Sequence, residues 1–281
     1  MPTSTGADDV PLHHDDHPGP DGPVLALAGG AARHPDYLAT PDGRPFGLTR
    51  RVVVPHLRGV SLSPAPADPE RGSWWRQAED VDRLREHLGL ERVTIVAHSA
   101  GTRLAVAYAA QHPERVERMV LVTPPAGYLV DVPSDVDAMV ARRTGEPDFD
   151  AAVTALTSPP EITSDAELAA WQATCAPAGY ARWGAAERAH SRVGEWSLAG
   201  SRAYFSVAPP ADLAERLAAV TAPVLVVAGS EDVFTGRAPL AAMSRLFPDG
   251  DLAVVDRCGH YPWVEQPHAF TALVGAFLER P

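Results

Sequence analysis

The chain has 281 residues, 45% of them hydrophobic, and a formal net charge of -12. That length holds one large domain or two small ones with a sizeable core, and no apolar run approaches the roughly 20 residues a bilayer crossing needs. The acidic balance argues against nucleic-acid and membrane partners, and because all 24 basic residues are arginine, lysine Schiff bases, pyridoxal-phosphate attachment and the P-loop lysine are excluded.

Residues 1–22 lack the basic start and apolar stretch of a secretory signal, so a cytoplasmic location is expected. The two cysteines, Cys175 and Cys258, have neither C-x-x-C spacing nor the density of a disulfide scaffold, which suits a reducing compartment. Residues 10–17 are expected to add an edge strand. Its His13, His14, His17, Asp15 and Asp16 read as an exposed polar strand and not as a metal site, since nothing fixes a ligand geometry. Residues 24–28 (VLALA), closed by Gly29 and Gly30, form a short apolar run of the kind buried on both faces of a parallel sheet, and residues 51–55 look the same. Apolar residues at Trp75, Ala78, Val81, Leu84 and Leu88 predict a helix. A strand over 93–97 follows, then a helix over 102–112 stopped by Pro113, then a strand over 119–122.

From about 127 to 210 the alternation breaks. Helical pieces occur at 166–174 and 181–190 with no convincing buried strand, so the segment reads as an α-helical cap insertion. Trp171, Tyr180, Trp183, Trp196, Tyr204 and Phe205 are expected to form chiefly its own small core, with the remainder lining a pocket. The alternation resumes with a strand over 223–228, a helix around 238–246, a strand over 252–255 and a helix over 270–278. The expected fold is α/β, a doubly wound, mostly parallel sheet with helices on both faces. Its core would be formed by residues 1–126 and 211–281, interrupted by a cap over 127–210.

The sharpest chemical signal is Ala97-His98-Ser99-Ala100-Gly101, set directly between a predicted strand and a predicted helix. A nucleophile elbow needs this context, with small neighbours that let strand and helix approach. A serine hydroxyl needs an imidazole to take its proton and a carboxylate to hold that imidazole in the right tautomer. Asp232 and His260 follow predicted strands, in loops at the strand ends where open α/β sheets place their sites. Glu231 is the reserve for the acid. The amide of Ala100 and that of Gly30 are the candidate oxyanion donors. Gly29, His98, Trp183 and Trp263 complete the substrate-contacting candidates. Cys258, which has no elbow, reads as a packed thiol.

Several stretches carry a family resemblance. Ala28-Gly29-Gly30-Ala31-Ala32 looks like a His-Gly-Gly-Pro-Gly loop in which Ala28 replaces the histidine and Ala31 the proline. The segment from His56 to Ser63 resembles Asp-x-Arg-Gly-x-Gly-x-Ser, with His56 in place of the aspartate. Residues Gly259-His260-Tyr261-Pro262-Trp263-Val264-Glu265-Gln266-Pro267 are similar to the histidine loop of proline iminopeptidases. The chain thus resembles the α/β-hydrolase superfamily, and its proline iminopeptidase branch in particular. That resemblance implies a serine hydrolase acting through an acyl-enzyme on a small-molecule or short peptide substrate, with no cofactor and no metal. An aminopeptidase of this kind would also need cap carboxylates for the substrate's α-amine, for which Glu161, Asp165, Glu167, Glu187 and Glu195 are candidates. A carboxylesterase, lactonase or thioesterase is the alternative within the class. A non-hydrolytic binding protein or a cofactorless lyase or cyclase is the alternative outside it.

Overall fold

The computed structural model describes residues 2–280. Among these, eight strands form one sheet: β1 (Thr3–Thr5), β2 (Pro11–His17), β3 (Val24–Leu27), β4 (Val52–Pro55), β5 (Val93–His98), β6 (Val116–Val122), β7 (Val224–Gly229) and β8 (Gly250–Val255). Their spatial order is β1-β2-β4-β3-β5-β6-β7-β8. The pairings β1 with β2 and β2 with β4 are antiparallel, and all others are parallel.

Every residue of β3, β5 and β7 is buried, which is why β3 and β7 are continuous apolar runs and β5 is apolar apart from Thr94 and His98. Alternation along the strands then sorts side chains between two cores. Leu25, Leu27, Ile95, Ala97, Leu121 and Val226 face one, whereas Val24, Ala26, Val96, Val120 and Val227 face the other. Each buried Val or Leu side chain contributes about 1.5–3 kcal/mol. Helices α1 (Ala78–His87) and α2 (Gly101–Gln111) cover the first core through Val81, Leu84 and Leu104.

Between β6 and β7 the described residues form α3 (Val136–Arg143), α4 (Pro147–Thr157), α5 (Asp165–Cys175), α6 (Ala185–Ser191), α7 (Leu198–Tyr204) and α8 (Leu213–Arg216), with no named strand. The chain then continues through α9 (Ala238–Ser244), α10 (Pro262–Glu265) and α11 (Pro267–Leu278). Phe270, Val274 and Phe277 of α11 seal the second core at helical spacing.

Several expectations need correction. The edge position belongs to the short β1, and β2 sits inside it. That placement buries His14 to 2% exposure, so β2 is not a uniformly exposed polar strand. Its carboxylates are spent in pairs, Asp15 with His56 at 2.9 Å and Asp16 with Arg51 at 2.7 Å. Helix α6 starts at Ala185, four residues later than the sequence pattern indicated, because Tyr180 is extended and Gly184 caps the helix. The sequence reading passed over helices α3, α4 and α7. The six aromatics named for this region do not form its core. Met139, Phe149, Ala152 and Ala178 do so with Val233, Tyr204 joins the main core, and Trp171, Tyr180, Trp196 and Phe205 turn towards a cavity.

Candidate active site

Ser99 sits in the tight turn between β5 and α2 with φ of +49°, in the left-handed region that a residue other than glycine rarely occupies. The turn is held because Ser99 N–H donates to the Val122 carbonyl at 2.9 Å and Thr102 N–H donates to the Ser99 carbonyl. Small neighbours are obligatory here. A Cβ at Gly101 would lie 2.4 Å from the Ala28 carbonyl oxygen and 2.6 Å from that of Leu27.

His260 lies in the loop after β8 and Asp232 in the loop after β7. Ser99 Oγ is 2.8 Å from His260 Nε2, and His260 Nδ1 is 2.9 Å from Asp232 Oδ2. A carboxylate can only accept, so Nδ1–H donates to Asp232 and Nε2 is left to accept from the serine hydroxyl. Asp232, fully buried, also accepts from Phe234 N–H at 2.9 Å and from the Thr235 hydroxyl at 2.6 Å. Its oxygens are thereby fixed in place. Glu231, the reserve acid, offers no such contact. Its backbone N–H donates to the Cys258 carbonyl.

Among the described residues, the backbone N–H groups of Gly30 and Ala100 donate to no acceptor. Both residues line the same cavity as Ser99. Gly30 has φ of +71°. Behind it, Gly29 packs so closely that a Cβ would meet the His98 carbonyl oxygen at 2.5 Å, and its N–H donates to the Tyr37 hydroxyl. Gly29 is therefore a packing residue and does not line the cavity.

The cavity has a volume of 380 Å³, the scale of a small-molecule site. Its roof comes from the segment between β6 and β7, through Leu156, Leu168, Trp171, Trp196 and Phe205. That roof is fastened to the loop after β3 by main-chain bonds, His34 N–H to the Glu195 carbonyl at 2.7 Å and Ser197 N–H to the Ala32 carbonyl at 3.1 Å.

The remaining candidates divide. His98 lines the cavity, but both ring nitrogens are engaged, Nδ1 with the Tyr37 hydroxyl at 2.9 Å and Nε2 with the His260 carbonyl at 3.1 Å. Burial, then the neighbouring His260, holds its pKa well below the usual histidine value, so it is neutral. Trp263 is 1% exposed and lies behind His98 at 4.7 Å between ring centroids, so it supports the wall without lining it. Trp183 packs tilted against Tyr180 at 5.4 Å between ring centroids and borders a different, outer depression with Arg188. Cys258 is buried, and burial pushes its thiol pKa far up, as a packed thiol requires.

None of Glu161, Asp165, Glu167, Glu187 and Glu195 lines the cavity. Glu187 and Glu167 instead accept from the backbone at the starts of their helices, Glu187 from Gly184 N–H and Glu167 from Thr163 N–H. Asp165 accepts from Leu198 N–H. The sequence reading missed Arg33, Tyr37, Phe234 and Tyr261, all on the cavity wall. Phe234, two residues from Asp232, and Tyr261, next to His260, had a positional cue, whereas Arg33 and Tyr37 had none.

A family model described as alpha/beta hydrolase fold matches residues 36–267. The 2-hydroxymuconate semialdehyde hydrolase of Pseudomonas sp. strain CF600 is 27% identical over 234 residues, covering 82% of this chain and 77% of that protein. Proline iminopeptidase of Neisseria gonorrhoeae is 37% identical over 105 residues, but these cover only 36% of this chain and 33% of that one. Among solved structures, an esterase from Exiguobacterium antarcticum superposes with a TM-score of 0.74 at 18% identity, covering 99% of each chain.

Proposed function

Because this chain belongs to the α/β hydrolase fold family, we propose that it is a serine hydrolase of small acyl substrates, with Ser99 as nucleophile, His260 as general base and Asp232 as the orienting carboxylate. The observation that carries this reading is the unbroken line from the serine hydroxyl through the imidazole to the buried carboxylate, at 2.8 and 2.9 Å.

The chemistry follows from that line. Ser99 Oγ attacks the substrate carbonyl while Nε2 of His260 takes the hydroxyl proton, and the imidazolium is stabilised by Asp232. The N–H groups of Gly30 and Ala100 receive the negative charge that develops on the carbonyl oxygen. Collapse of the tetrahedral intermediate expels the leaving group, which takes the proton from His260, and an acyl-enzyme remains. A water activated by the same imidazole then releases the acid and restores the serine.

Two observations favour an ester, lactone or other small acyl compound over a peptide with a free N-terminus. The cavity wall carries no aspartate or glutamate among the described residues to hold an ammonium group, and the similarity to proline iminopeptidase covers about a third of the chain. The mostly apolar roof suits a small, partly apolar substrate.

The reading is tested with a fluorophosphonate probe, wild type beside Ser99→Ala. Labelling of wild type alone is expected. Absence of labelling in folded wild-type protein favours a non-hydrolytic binding protein and sinks the proposal. A short-chain nitrophenyl ester assayed beside a prolyl amide separates the two substrate classes. Turnover of the ester above the amide by several orders of magnitude is the expected result.

A further inference from the structure

Arg33 stands on the cavity wall, three residues beyond Gly30. It is 3% exposed, and it is anchored by main-chain carbonyls. Nε donates to Val193 at 2.9 Å, and Nη2 donates to His190 at 3.3 Å and to Ser191 at 3.1 Å. These carbonyls lie at the C-terminal end of α6 and just past it, where a helix offers only partial negative charge. The ring faces of Tyr37 and Trp196, at 4.5 and 5.1 Å, add cation–π attraction.

Together these contacts hold the guanidinium in place without cancelling a full positive charge, and arginine cannot escape by losing its proton. No carboxylate pairs with Arg33 among the described residues, and of the residues lining the cavity it is the one permanent charge. The carboxylate of Asp232 lies behind His260, its oxygens taken by His260, Thr235 and Phe234. Nη1 reaches no carbonyl or carboxylate, and the hydroxyl of Tyr261, which lies within hydrogen-bonding reach of the guanidinium, donates to no acceptor. A guanidinium edge next to a hydroxyl is the donor set that a carboxylate takes up.

We propose that Arg33 and the Tyr261 hydroxyl form an anion-binding subsite of the cavity, and that the substrate is a small acyl compound bearing a carboxylate. This rests on the hydrolase reading above and adds the substrate class. The substrate's own carboxylate would supply the counter-charge that the wall lacks, while the line through Ser99 acts on a separate carbonyl of the same molecule.

Two matched pairs of esters test it, one for each side of the scissile bond. 3-Acetoxybenzoate against its methyl ester places the charge on the leaving group, and 4-nitrophenyl hydrogen adipate against 4-nitrophenyl hexanoate places it on the acyl group. After correction for uncatalysed reactivity, kcat/KM for the anionic member of at least one pair should exceed that of its neutral partner by about tenfold or more. Arg33→Gln should abolish that preference. Because Arg33 also fastens the roof, Tyr261→Phe provides a second variant that leaves the carbonyl contacts intact, and it should reduce the preference by raising KM for the anionic ester. Preference at or below unity in both pairs, in wild type whose Ser99 is labelled by fluorophosphonate, overturns the subsite and leaves the hydrolase reading standing. Should no ester turn over, calorimetric titration of Ser99→Ala with benzoate and with benzamide decides the matter. Tighter binding of benzoate by about tenfold supports the subsite, and equal binding overturns it.

Discussion

The Tyr37 hydroxyl donates to His98 Nδ1 at 2.9 Å, and through that bond the loop carrying Gly30 is joined to the loop carrying His260. The direction of each bond is fixed. Gly29 N–H donates to the Tyr37 oxygen, the hydroxyl proton goes to His98 Nδ1, and the remaining Nε2–H donates to the His260 carbonyl at 3.1 Å, which the Thr123 hydroxyl also reaches. The chain works only with a neutral imidazole, and the burial of His98 keeps it neutral.

Tyr37→Phe keeps the ring and removes the link. Gly29 N–H and His98 Nδ1 then stay buried without partners, at about 1–3 kcal/mol each, so Tm should fall by about 5 °C or more. The same variant should lower kcat more than it raises KM, because the loops that carry the proposed oxyanion donor Gly30 and the proposed base His260 lose their common tie. A thermal melt within about 1 °C of wild type, with unchanged kcat, would show that the two loops hold their positions independently.

On the proposed mechanism Asp232→Asn should lower kcat by about 10⁴, as loss of the orienting carboxylate does in a serine-protease triad, with circular dichroism unchanged. The amide can donate towards His260 and so favour the tautomer in which Nε2 bears the hydrogen and cannot take the serine's proton. A loss of less than about tenfold would return the role to Glu231, the neighbouring carboxylate in the same turn.

The sheet was legible because its central strands are buried on both faces and must be apolar throughout, as VLALA and PVLVVA are. Ser99, Asp232 and His260 could be singled out as candidates because each sits where a strand ends, a place that alternation of strands and helices marks out in the chain. Arg33 and Tyr37 could not. Nothing distinguishes Arg33 from 23 other arginines until the segment around Trp196 is laid across it, and that placement depends on contacts 157–160 residues apart in the chain. Helices α3 and α4 escaped for a related reason, since their few buried apolar residues, Met139, Phe149 and Ala152, pack with Val233 from a loop of the other half of the core.

Glu265 gives stability a pH dependence with a definite sign. Burial raises its carboxyl pKa to about 8, although Ala181 N–H at 2.7 Å and Gly259 N–H at 2.9 Å both donate to it. Between the ordinary value of 4.5 and about 8 the folded chain therefore holds a proton that the unfolded chain has released. The free energy of unfolding must then fall as pH rises through that window. Wild-type Tm should decline from pH 5 to pH 8 more steeply than that of Glu265→Gln, which has no proton to lose. Parallel curves for the two proteins would contradict the raised value.

Two glycine-to-alanine changes, each in a helix, should have opposite effects. At Gly275 in α11 an added Cβ meets nothing within 4 Å, so Gly275→Ala should stabilise the protein by about 0.5–1 kcal/mol through the better helix propensity of alanine. At Gly101, the first residue of α2, the same methyl would press against the carbonyl oxygens of Ala28 and Leu27 at 2.4 and 2.6 Å. Backbone cannot swing aside as a side chain can, so α2 has to retreat from β3, at about 1–3 kcal/mol of overpacking. The retreat carries the Ala100 N–H and Ser99 away from Gly30, and activity should drop by about 10² or more, as removal of one oxyanion donor does. Melting curves and ester turnover for the two variants check both halves. A Gly101→Ala protein with wild-type turnover would show that the approach of α2 to β3 does not set the geometry at Ser99.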